Sequence, residues 1–191
     1  MGKEKYIGTK FTTIFLGDFI PNKKEAKLIA ELIAVGHIFG AMGIKDQNGG
    51  NISVRVSDGF LIKRTGAHPY ELKAADFVKV AKTRGDKVWA YGKFEPSSEA
   101  RLHEAIYKAR PDINCVLHCH DFLAVFNPKK FEDIAYIKEI SYGTTESAKA
   151  VSTKAKSFNY LIQTNHGVIA LGKSIKTAIN IIRKFHQRFV E

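Results

Sequence analysis

Cysteine is scarce: only Cys115 and Cys119 occur in 191 residues, which leaves no disulfide framework. They lie four apart in one expected strand, poorly placed to bond each other. A reducing, cytoplasmic setting is the expectation. No apolar run is long enough to cross a bilayer, so no membrane-spanning helix is expected. Met1-Gly2-Lys3-Glu4-Lys5-Tyr6 contains no apolar segment of the kind that opens a secretory signal. Acidic residues are short as well, 19 against 30 Lys+Arg, for a formal charge of +11. A basic surface attracts anions in general. The Lys and Arg residues are scattered, however, with no basic block and no nucleic-acid motif. Most of this charge reads as a solvated surface; a sugar phosphate would suit it, and no nucleic-acid or membrane partner is expected. No repeat, low-complexity segment or linker divides the chain, so residues 1–191 are read as one domain.

What is present is a full complement of core residues, 45% hydrophobic against 26% charged. Asn22 to Gly40 reads as a helix capped by Asn22, with Ala26, Ile29, Ile33 and the Leu28/Leu32 pair at helical spacing. Ile52–Val56 and Phe60–Lys63 read as strands around Ser57-Asp58-Gly59, a hairpin signal. Asp76–Val80 and Val88–Tyr91 are further strands. A helix opens at Ser97-Ser98 and stops before Pro111, because the residue preceding proline disfavours helical geometry. Cys115–His120 is a strand, Thr145–Lys156 a helix, and Tyr160–Thr164 and Gly167–Leu171 are strands. Ser174 caps a last helix that turns Ile175, Ala178, Ile179, Ile182, Phe185 and Phe189 to the core. Strands and helices mix without strict alternation, which predicts an α/β or α+β sandwich on a mixed sheet.

The chemistry-bearing residues concentrate in Glu99–His120 and Asn165-His166-Gly167. His118 and His120 are two apart, and on a strand such positions share one face. Leu117 and Cys119 then turn the other way. His166 adds a third imidazole beside a glycine that permits close approach. Three histidines with one open position describe a catalytic divalent-metal site, most simply zinc; the alternative is histidines that bond core carbonyls. Glu99 falls in the first turn of its helix, where the macrodipole favours a carboxylate with or without a catalytic role. A general acid/base beside the metal is the functional reading. His103, four residues on, shares that helix face and either orients Glu99 or packs. Ser97 and Ser98 precede the helix and suit either a cap or a phosphate. Gly50-Asn51-Ile52-Ser53 and Thr65-Gly66 offer further small polar donors in loops.

Taken in order, these segments resemble the class II aldolase/adducin family, and within it the fuculose-1-phosphate aldolase branch. The matching pieces are Gly50-Asn51-Ile52-Ser53, Thr65-Gly66 with Pro69-Tyr70, and Pro96-Ser97-Ser98-Glu99 with Leu102-His103. Arg110-Pro111-Asp112, His118-Cys119-His120, Tyr142-Gly143-Thr144 and Asn165-His166-Gly167 complete the series, over about residues 25 to 185. The resemblance implies a three-layer α/β/α sandwich with a mixed, mostly antiparallel sheet. It implies His118, His120 and His166 as ligands to Zn2+ or another divalent metal, and Glu99 as the catalytic carboxylate. Asn51, Thr65, Gly66, Ser97 and Ser98 correspond to the substrate phosphate pocket. A homotetramer is implied, with the active site near a subunit interface.

The implied reaction is retro-aldol cleavage of a ketose 1-phosphate, fuculose 1-phosphate-like, into dihydroxyacetone phosphate and an aldehyde. A second acid/base for the aldehyde oxygen is an aromatic hydroxyl in the family. None is matched here, and no tyrosine follows Tyr160. The 21 residues between His120 and Tyr142 are a shorter segment than in most relatives, and the chain ends straight after its last helix. Both regions shape the aldehyde pocket in the family, so the substrate's aldehyde half is the open question. The ribulose-phosphate 4-epimerase branch has Asp at the position of Glu99. The methylthioribulose-1-phosphate dehydratase branch takes its base from a glutamate after the His-x-His, for which Glu139 is the candidate. A non-catalytic adducin-like domain would lack the metal ligands present here.

Overall fold

A computed structural model describes residues 8–44, 49–127 and 129–191; the reading of Met1–Tyr6 lies outside them. The architecture grows from one hairpin. β2 (Asn51–Val56) and β3 (Gly59–Lys63) pair antiparallel around Ser57-Asp58. Gly59 has φ 140°, and a Cβ there would sit 2.0 Å from the carbonyl oxygen of Val80. Only glycine fits both conditions. From β3 the sheet extends to β4 (Phe77–Arg84), then β5 (Lys87–Tyr91), and ends at β1 (Thr12–Phe15). From β2 it extends the other way to β6 (Cys115–Cys119), β9 (Gly167–Gly172), β8 (Tyr160–Gln163) and β7 (Ala135–Ile137). Among the described residues only the two outermost pairings, β1 with β5 and β7 with β8, are parallel. The mixed, mostly antiparallel sheet expected from the resemblance is therefore present.

Helices cover both faces. α1 (Lys23–Ala41), α3 (Phe122–Val125) and α5 (Ile175–Val190) lie on one side, over Ile52, Leu61, Leu117 and Val168. α2 (Ala100–Ala109) and α4 (Thr145–Ala155) lie on the other, over Ile62, Val80, Val116 and Ile169. The strand period of two sends alternate residues into the two cores, and three layers result. In α5 all six expected core residues are buried, with the Phe185 and Tyr160 rings stacked 4.3 Å apart. In α1 Ala26 faces solvent instead of the core. Glu25 is the buried residue, because its carboxylate closes a capping box on Asn22 and pairs with Lys79. Among the described helices none is long and apolar enough to cross a membrane.

Candidate active site

The site forms where β2, β6 and β9 lie side by side in the middle of the sheet. His118 projects from β6 on the α2 face and is 1% exposed. His120 follows one residue after the strand ends at Cys119, so it departs from the expectation that both histidines lie within the strand. Leu117 and Cys119 do turn to the opposite core. His166 sits in the turn between β8 and β9, after Asn165 at φ 58°. A nitrogen of each of the three histidines lies within 4.8 Å of the others. Gly167 makes this possible, since a Cβ there would meet the His118 ring at 2.6 Å and the His120 ring at 3.0 Å.

The donor set fits a divalent cation. His118 Nδ1 donates to the Val168 carbonyl at 2.9 Å, which leaves Nε2 as its lone-pair nitrogen. Burial pushes this imidazole's pKa well down, so the ring is neutral at neutral pH. His118 Nε2 stands 3.2 Å from His166 Nε2. Two nitrogens on one tetrahedral zinc ion are about 3.3 Å apart, so the spacing of these two imidazole nitrogens suits a shared cation.

Glu99 approaches from the α2 side. It is the N-cap residue of α2, not a member of the first turn as expected, and its side chain makes no capping bond. The carboxylate reaches across to the sheet instead, where Oε2 accepts from Asn51 Nδ2 at 2.7 Å. Oε2 lies 3.2 Å from His118 Nε2, and Oε1 lies 3.9 Å from His166 Nε2. Burial works against ionisation of this carboxyl, yet His118, His166 and the Asn51 amide hold it below the ordinary carboxylate range. Among the described residues, Oε1 of Glu99 and Oδ1 of Asn51 are buried with no hydrogen-bond partner. Buried polar atoms are normally satisfied, so the pair marks where a ligand would bond.

Thr65 and Gly66 are brought against Ser97 and Ser98 by backbone bonds. Thr65 N–H donates to Glu95 O at 3.0 Å, Ser97 N–H donates to Lys63 O at 3.0 Å, and Arg64 bridges to Pro96. Ser97 and Ser98 are buried just ahead of α2, and these backbone bonds run the Thr65-Gly66 loop alongside Ser97, the cradle expected for a phosphate. Asn51, the fifth, is engaged by Glu99. Sequence reasoning missed Lys63, which lies under this loop at 2% exposure and donates to Ala67 O at 2.8 Å. Burial, helped by Arg64, brings its pKa down to about 8. A lysine closing the apolar run Gly59-Phe60-Leu61-Ile62 was the available signal.

Behind Glu99 a polar rung joins α2 to β2. Ser53 Oγ lies 2.6 Å from His103 Nδ1 and 2.7 Å from the Tyr107 hydroxyl, all buried. Glu139, the alternative base, is exposed and accepts from Asn165 Nδ2 at 2.7 Å, next to His166. Asp121 Oδ2 accepts from His186 Nδ1 at 2.8 Å. This last pair had no sequence signal, since its members lie 65 residues apart.

The family model for the Class II Aldolase and Adducin N-terminal domain matches residues 30–189. A curated relative, 5-methylthioribulose-1-phosphate/5-deoxyribulose-1-phosphate aldolase from Rhodospirillum rubrum, is 28% identical over 155 residues, 73% of this chain and 68% of that protein. An L-fuculose phosphate aldolase from Haemophilus influenzae is 28% identical over 158 residues, 72% of this chain and 69% of its own. The crystal structure of L-fuculose-1-phosphate aldolase from Thermus thermophilus superimposes with a TM-score of 0.73 at 22% identity, covering 86% of this chain and 91% of that one. With a family match over most of its length, this chain belongs to the class II aldolase and adducin family.

Proposed function

We propose that this protein is a metal-dependent aldolase, a carbon–carbon lyase that cleaves a ketose 1-phosphate, fuculose 1-phosphate-like, into dihydroxyacetone phosphate and an aldehyde. The observation that carries it is a buried, ionised Glu99 whose Oε1 is uncommitted among the described residues and faces the His118–His166 pair. A divalent ion, zinc in the simplest reading, would be held by His118, His120 and His166 and would polarise the substrate carbonyl as a Lewis acid. Asn51 fixes Oε2 of Glu99, which leaves Oε1 to move the proton at the reacting carbon. Thr65, Gly66, Ser97 and Ser98 hold the phosphate, with Lys63 beneath them as the positive charge.

A cytoplasmic homotetramer belongs to the same reading. Its supports are the free, buried Cys115 and Cys119 and the exposed Phe122, Leu123 and Phe126 close to His120. One observation favours a second reading, a methylthioribulose-1-phosphate dehydratase type of reaction: Glu139 is held beside His166 through Asn165.

The deciding experiment incubates zinc-loaded protein with a panel of ketose 1-phosphates and reads dihydroxyacetone phosphate release, with Glu99→Gln as control. Release that falls about two to four orders of magnitude in the variant is expected. Loss of water without release, abolished by Glu139→Gln, would replace the aldolase by the dehydratase.

A further inference from the structure

A pocket of about 250 Å³ shares His120 with the histidine cluster, and neither Glu99 nor any residue of the phosphate cradle lines it. Met42 and Ile44 form one wall where α1 ends, and Phe122 and Leu123 of α3 form the opposite one. Its polar residues, besides His120, are Asp121 and His186. Asp121 is 2% exposed and caps α3, Oδ1 accepting from Ala124 N–H at 3.4 Å. Its other oxygen takes the Nδ1 proton of His186 at 2.8 Å. A carboxylate so placed fixes the ring's orientation and its tautomer, with Nε2 as the basic nitrogen. The remaining 15% exposure of the His186 side chain is enough for a small molecule in the pocket to reach it.

We propose that this pocket receives the aldehyde half of the substrate, and that His186, held by Asp121, is the catalytic residue that moves the proton of the aldehyde oxygen. The inference rests on the aldolase reading. It places there the second acid/base for which no tyrosine was matched. Ser97 and Ser98 adjoin Glu99 in the chain and the pocket adjoins the histidine cluster through His120, so with the phosphate in the cradle the remote end of the substrate is the part this inference assigns to the pocket. In cleavage, Nε2 takes the proton of the hydroxyl on the carbon being released. That oxygen's electron pair becomes the aldehyde carbonyl, and the carbon–carbon bond breaks with its pair left on the phosphate half. Glu99, ionised at rest, takes up a proton from solvent and delivers it to that carbon. His186 returns to solvent the proton it took, so one proton enters, one leaves, and nothing is oxidised or reduced. Among the described residues the lining contains no Lys or Arg and does contain a buried carboxylate. It therefore suits an unphosphorylated aldehyde with a short apolar tail and disfavours a second phosphate.

Two half-reactions separate the roles. Hydrogen exchange of dihydroxyacetone phosphate in deuterated water, followed by NMR, needs Glu99 but no aldehyde base; cleavage needs both. His186→Gln retains an N–H for Asp121 and has no basic nitrogen. It is expected to cleave about 10²- to 10⁴-fold more slowly while zinc content, melting temperature and exchange stay at wild-type level. His186→Asn serves as the second variant and is expected to behave alike. Cleavage at wild-type rate in either variant, or exchange falling in parallel with cleavage, overturns the assignment. Wild-type protein should also cleave a terminal-deoxy ketose 1-phosphate at least tenfold faster than a ketose bisphosphate, and the reverse order overturns the apolar tail. Wild-type protein that neither exchanges nor cleaves would bring down the underlying aldolase reading, and this inference with it.

Discussion

His103 shows how much a single buried side chain contributes. It is 0% exposed and sits on Ser53. Burial, together with the charge of Lys63, brings its imidazole down to about 4 from the ordinary 6.5, against an opposing pull from Glu99. The unfolded chain therefore binds this proton first as the pH falls. The stabilisation is complete above about pH 6.5 and is lost between there and about pH 4, at about 1.4 kcal/mol per pH unit. Urea unfolding of metal-free protein across that range should show the loss, and His103→Gln should show a shallower one. Parallel slopes would mean that His103 is protonated in the folded state. At this scale the three histidines and Glu99 were legible in the sequence, because a period of two and a short motif announce them. Asn51 as the partner of Glu99 was not: the two are 48 residues apart, and nothing local couples them.

Among elements, β9 carries the sharpest constraint. Gly167 opens it against both His118 and His120, and a methyl group there would also meet Cys119 O at 2.7 Å. Gly167→Ala is expected to leave the sheet intact and weaken zinc binding about 10- to 100-fold, the range seen when the support of a metal ligand is disturbed. Titration against a competing chelator measures it, and unaltered affinity would show that the rings have room to shift. In α5, truncating Phe185, stacked on Tyr160, removes a buried aromatic; Phe185→Ala should cost about 3–5 kcal/mol in urea unfolding. The long amphipathic helices and the β2–β3 hairpin were readable because periodicity and turn chemistry are local. β1, β7 and α3 were not read. They span three or four residues each, too few for a period, and β1 and β7 exist only through parallel pairing with distant strands. The start of α2 was read a little early, because the Ser97–Glu99 turn carries helix-start residues without helical geometry.

For the whole molecule, two apolar clusters on opposite faces of one sheet hold the centre of the sheet rigid, and the histidines stand there. A ligand that binds only the folded state stabilises it by mass action, about 2.7 kcal/mol at a hundred times its dissociation constant. Zinc should therefore raise the unfolding free energy of the wild type by that order and leave His118→Ala or His166→Ala unmoved. Equal stabilisation of wild type and variants would place the ion elsewhere.

By itself the sequence determined which groups exist and how neighbours are phased: the His-x-His spacing, the core-facing stripe of α5, the Asp-Gly hairpin and the ordered motifs of the family. Those follow from backbone periods that repeat within a few residues. Tertiary structure alone decided that Asn51 meets Glu99, that His166 closes on His118, and that Asp121 meets His186. Each of these contacts spans 48 to 65 residues. Such partners are chosen by strand order and by the packing of helices on the two faces, which only the folded sheet specifies.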